Sequence, residues 1–143
     1  MKKLALLIVG LALVLSASRV NAMQLSVGDW AGWPVLGLHF NDTFTGYLGY
    51  SYVGSTKVSY GLVKVDMNLA KIKDAQTKAG VYYSMTSPNN GSTLGLTWGA
   101  SVMVLPNVSV GADIDLVHQV TAAGGGTSTC FLDGAYMSFN LLL

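Results

Sequence analysis

Five charged side chains are the first candidates for chemistry in this sequence: Lys64, Asp66, Lys78, Asp113 and Asp115. Lys64 and Asp66 are two residues apart, and so are Asp113 and Asp115. On a strand, that spacing puts both members of each pair on one face. Converging charges of both signs could form an ion path or gate. They could equally form a buried polar network in which each charge neutralises another. The second reading is preferred, because an unpaired buried charge is costly and pairing is expected. His118, His39 and Cys130 are the other candidates. His118 falls on the apolar phase of its run and reads as a residue at a polar boundary. His39 lies on a different run and phase, so the two histidines do not form a metal pair, and neither a cysteine nor a glutamate completes one. Cys130 reads as a small residue near a strand end. No catalytic, cofactor-binding or metal site is expected from these residues, and no cofactor.

The elements that must position these groups are strands. In "TLGLTWGASVMVL" (93–105), Leu94, Leu96, Trp98, Ala100, Val102 and Val104 alternate with Thr93, Gly95, Thr97, Gly99, Ser101 and Met103. The period is two, and no charge appears in the run. "FTGYLGYSYV" sets Phe44, Leu48, Tyr50 and Tyr52 against Thr45, Tyr47, Gly49 and Ser51. "VSVGADIDLVHQ" sets Val108, Val110, Ala112, Ile114 and Leu116 against Ser109, Gly111, Asp113, Asp115 and Gln119. In "KVSYGLVKVDMNL" the apolar phase switches between Leu62 and Val63, which predicts one bulged residue there. Eight strands are expected, at 24–31, 34–40, 44–53, 56–70, 77–86, 93–105, 108–119 and 128–141. Turn signals separate them, among them "NDT", "SPNNGS", "PN" and "AAGGGTS".

Composition limits what such a sheet can be. Of 143 residues, 51% are hydrophobic and 10% charged, against about 25% charged in a typical soluble domain. Residues 1–22 have the form of a secretory signal peptide: Lys2 and Lys3, an apolar run at 4–15, then Val20-Asn21-Ala22. The apolar run is too short for the about 20 residues of a membrane-spanning helix. Beyond residue 22 stand five lysines and seven aspartates, which leave no basic field for nucleic acid. A single cysteine excludes an internal disulfide.

In a soluble sandwich the second face of these strands would meet water with few charges, and their edges would invite aggregation. The runner-up fold, a secreted ligand-binding β-sandwich, is disfavoured on that ground. An eight-stranded barrel in a membrane resolves the pattern. Its apolar face meets lipid, its small polar face fills a narrow lumen, and closure satisfies every backbone group. The expected fold class is all-β, an eight-stranded antiparallel up-and-down transmembrane barrel over residues 23–143. Trp30, Trp33, Tyr50, Tyr52, Tyr83 and Phe131 are expected in aromatic girdles at its two interfaces.

In this respect the chain resembles the small eight-stranded outer-membrane barrels of Gram-negative-type bacteria, the OmpA-like and OmpX-like class. The resemblance is one of pattern over the whole chain after residue 22. It is most specific in "DGAYMSFNLLL", where Ala135, Met137, Phe139, Leu141 and Leu143 alternate to the last residue. That run is similar to the terminal signal read by the barrel-assembly machinery, although the family usually ends in Phe or Trp. The resemblance implies a location in the bacterial outer membrane, with membrane lipids and the assembly machinery as partners and both chain ends in the periplasm. The loops on the outer side, at 54–55, 87–92 and 120–127, are short, which argues against an elaborate receptor and leaves any surface partner unnamed. Some such barrels remove acyl chains from lipid A with a His and a Ser two residues later. Here Val120 holds that place and no glutamate can orient the ring, so a non-enzymatic role in envelope structure or surface interaction is expected. The alternative is a narrow channel or a lipid-handling transporter.

Overall fold

The computed structural model describes residues 24–88 and 90–143. The expected signal peptide, residues 1–22, lies outside the described residues. Eight strands follow in chain order: β1 (Gln24–Trp30), β2 (Trp33–His39), β3 (Phe44–Val53), β4 (Val58–Ile72), β5 (Ala75–Ser87), β6 (Gly91–Leu105), β7 (Val108–Thr121) and β8 (Thr127–Leu142). Each pairs antiparallel with its neighbours in sequence, and β1 pairs with β8, so the sheet closes into an up-and-down barrel. Both described chain ends lie at one end of the barrel, here the terminus end; the connections that follow β1, β3, β5 and β7 lie at the other, the loop end.

The tight connections have local causes. Ala31 and Gly32 both take positive φ, 57° and 80°, as a two-residue hairpin matched to strand twist requires. Asp29 Oδ1 accepts from the Gly32 N–H at 2.9 Å and holds the turn. Asn41 Oδ1 accepts from the N–H groups of Thr43 and Phe44, both at 2.8 Å, the side-chain mimicry of a turn for which Asn is suited.

Alternation in the sequence becomes inside and outside. On β6, Leu94, Leu96 and Trp98 are exposed on the outer wall while Thr97 is 2% exposed in the lumen. On β3, Leu48, Tyr50 and Tyr52 face out, and Thr45 and Tyr47 are buried. The core is small and aromatic: Trp30, Val35, Tyr47, Leu62 and Tyr82, with Ala31, Trp33 and Tyr136 packed against it. Two expectations on faces are corrected here. Trp30 is 4% exposed, a lumen residue and not part of a girdle. Trp33 is half-buried and packs edge-on against Tyr60 with ring centroids 5.6 Å apart. Tyr50, Tyr52 and Phe131 do stand on the outside.

No bulge occurs at Leu62 and Val63. Both ladders of β4 run unbroken through this region, with Leu62 opposite Gly49 on one side and Ser84 on the other. Leu62 is therefore a lumen residue, in the same phase as Lys64 and Asp66. The apolar phase switches because the lumen lining changes from apolar to charged along β4. The register breaks lie elsewhere: between Asn68 and Lys71 on β4, between Met103 and Leu105 on β6, and on β7 between Asp115 and Val117, where Leu116 is the extra residue.

The wall is uneven. β1 and β2 have seven residues each, while β4 to β8 have 13 to 16. β1 meets β8 only over residues 26–30 and 138–142, and β2 meets β3 only over 35–39 and 45–49. Toward the loop end, β3 and β8 each keep a single ladder partner, and the wall is low between them.

Candidate functional site

Four of the five predicted charges meet at mid-lumen. β4 carries Lys64 and Asp66, β5 carries Lys78 and β7 carries Asp113. Each is at most 5% exposed. Lys64 Nζ donates to Asp66 Oδ1 and stands 3.2 Å from Asp113 Oδ2. Lys78 Nζ stands 3.2 Å from Asp66 Oδ2 and 3.1 Å from Asp113 Oδ1. The result is a closed ring in which each charge has two neighbours of opposite sign. The two Lys78 contacts are ion pairs by distance, although the two carboxylate oxygens are not aligned as hydrogen-bond acceptors. Trp30 Nε1–H completes Asp113, donating to Oδ2 at 2.7 Å. The Lys64 ammonium also lies 5.2 Å from the Trp30 ring and 5.5 Å from the Tyr47 ring, within reach of a cation–π attraction.

Asp115 stands apart from this ring, one step along β7 toward the loop end. It is 0% exposed. Its Oδ2 accepts from Tyr82 Oη at 2.8 Å, from His118 Nδ1 at 2.8 Å and from Tyr136 Oη at 3.1 Å. Tyr82 and Tyr136 both lean on Trp30, with centroids 5.2 and 5.1 Å away. The aromatic cluster thus separates the charge ring from the loop end.

His118 was expected on the outward phase and Gln119 on the inward one. The Leu116 bulge reverses both: an extra residue shifts a strand's phase by one, so His118 turns inward to Asp115 while Gln119 is exposed. Cys130 is the cross-strand partner of His118. Asp133 is near as well, with Oδ2 3.8 Å from His118 Nε2. The donor atoms of His118, Cys130 and Asp133 all lie within 4.8 Å of one another. Only one signal for this group was present in the sequence: a His and a Cys in strands joined by a short loop. Their facing could not be read without the bulge. His39 is unrelated to it. His39 bridges Ser26 Oγ and Thr45 Oγ1 at 3.1 Å each near the terminus end.

Two cavities flank the ring. One, of about 250 Å³, opens at the loop end and is lined by Trp30, Trp33, Tyr82, His118, Val120 and Tyr136 among others. The second, of about 270 Å³, opens at the terminus end and includes His39, Tyr47, Asp66, Asn68 and Lys78 in its lining. No residue lines both. The ring and the aromatics above it lie between the two cavities.

No family model matches the chain, and neither the curated proteins nor the solved structures contain a significant match to it.

Proposed function

We propose that this barrel is a non-enzymatic outer-membrane protein whose side chains close its lumen and whose role is in envelope structure or surface interaction. The observation that carries the reading is the inversion of the molecule. Lys64, Asp66, Lys78, Asp113 and Asp115 are the buried groups, while Leu36, Leu48, Leu96, Trp98, Ile114 and Phe139 are exposed around the outer wall. Soluble monomers rarely expose apolar patches beyond a few hundred Å². A bilayer makes such a surface favourable, and closure of the sheet pairs the strands around the full circumference at the terminus end. β4 to β8 exceed the about 9–11 residues that a tilted strand needs to cross. β1 and β2 are shorter, so on that side the wall is low.

Extraction tests the membrane part of the reading. The folded protein should need detergent and should migrate differently on a gel before and after boiling. A chain that stays dissolved at high concentration without detergent would refute it. Planar-bilayer recording tests the closed lumen, which the unbroken charge ring supports. Purified protein should give no steady ohmic steps. Regular steps would favour the narrow channel instead.

A further inference from the structure

The geometry points to a binding site for a divalent transition-metal ion of the zinc type, formed by His118, Cys130 and Asp133 at the loop-end mouth, with Asp115 as its positioning residue. The donor set is one imidazole nitrogen, one thiolate and one carboxylate oxygen. Zinc takes these ligand types with bonds of about 2.0–2.3 Å, which places tetrahedral ligand atoms roughly 3.3–3.8 Å apart. The three donors already lie within 4.8 Å of one another, and His118 Nε2 is 3.8 Å from Asp133 Oδ2.

The imidazole is prepared for this role. Asp115 Oδ2 is a buried carboxylate oxygen and can only accept, so the 2.8 Å contact fixes the proton on His118 Nδ1. Nε2 then carries the free lone pair and lies 3.8 Å from Asp133 Oδ2. A carboxylate behind a ligating histidine is the usual outer-shell arrangement of zinc sites. Tyr82 and Tyr136 hold the same oxygen, so Asp115 is itself fixed.

The backbone supports the same assignment. Both strands leave regular register at this level, β7 at Leu116 and β8 between Phe131 and Gly134. Leu132 takes φ +50°, a conformation leucine rarely adopts, and its side chain is 72% exposed. The β7 irregularity turns His118 inward, and the β8 irregularity leaves Asp133 beside it. With thiolate and carboxylate, the site carries two negative charges, which favours a dication. The soft sulfur selects against magnesium and calcium. The Asp133 side chain is 60% exposed, so an ion can enter from solvent. Three protein ligands leave a fourth position for water or a group presented from outside.

The test uses purified, tag-free folded protein in detergent and Co²⁺ as a spectroscopic probe. One equivalent should bind with a sulfur-to-cobalt charge-transfer band, and Zn²⁺ should displace it. Cys130→Ser should abolish the band, and Asp133→Asn should weaken binding at least about tenfold. Asp115→Asn should weaken it about 10–100-fold while the band survives at saturating Co²⁺, the signature of a positioning residue. A gel shift on boiling checks that each variant folds. If His118→Ala does not fold, Cys130→Ser decides the matter alone, since it changes a single atom. Absence of saturable binding, or binding unchanged by Cys130→Ser, would overturn the site. Neither result bears on whether the outer wall meets lipid.

Discussion

Lys64 and Asp113 meet across the lumen, Nζ to Oδ2 at 3.2 Å, from strands β4 and β7 on different sides of the barrel. Each is also paired with a second partner, so the contact closes a ring. Removing one member leaves an uncompensated buried charge, which costs about 3–5 kcal/mol. Lys64→Met should therefore lower stability by about that much in denaturant unfolding from lipid vesicles. Adding Asp113→Leu should recover part of the loss, because it restores the balance of one lysine against one aspartate. A double variant that loses the sum of two single losses would mean that the ring does not act as a unit.

Gly80 lies on β5 beside this ring. A Cβ there would collide with Asp66 Oδ1, lie 2.7 Å from Thr97 Oγ1 and 3.2 Å from Lys64 Nζ. Asp66 Oδ1 and Lys64 Nζ are held by the ion pairs and cannot withdraw freely. Gly80→Ala should cost about 1–3 kcal/mol, as overpacking does. Gly91, at the start of β6, is the control: its nearest neighbour would be the Thr121 carbonyl oxygen at 3.7 Å. Equal unfolding midpoints for the two alanine variants would show that the lumen is looser than this packing.

Leu96 and Thr97 are adjacent on β6 and face opposite ways, 49% and 2% exposed. Leu96→Arg should cost about 2–4 kcal/mol if this point of the wall sits near the bilayer midplane. Leu96→Phe should cost little, because lipid accepts the ring, whereas a packed core would lose about 1–3 kcal/mol. Thr97→Ser, which keeps the hydroxyl, should also be mild. Unfolding of the three variants in vesicles compares them directly. A large loss from Leu96→Phe would place protein, and not lipid, against this face.

The strands and most of their faces were legible in the sequence because alternation has a period of two and survives wherever pairing is regular. That is why Leu96 and Thr97, or Ile114 and Asp115, fall on their expected sides. Alternation does not report where a phase slips, because a bulge is set by the register between strands. One extra residue at Leu116 was enough to turn His118 inward and to hide its meeting with Cys130. Hydropathy has a second blind spot. An apolar residue filling the lumen looks like one facing lipid, so Leu62 suggested a bulge that is absent and Trp30 suggested a girdle it does not join. The four ring charges were legible as a group because charge on an alternating apolar strand has only the lumen in which to be paired.

Tryptophan fluorescence reads directly what the outer wall touches. Of the three tryptophans, Trp98 stands on the wall at 44% exposure, Trp30 is buried in the lumen, and Trp33 is half-buried at the turn. Protein folded in vesicles of lipids brominated on their acyl chains should lose a substantial part of its emission. Trp98→Phe should remove that quenchable part and leave the rest. Emission untouched by acyl-chain bromine, with Trp98 quenched by iodide from water, would contradict the membrane barrel outright.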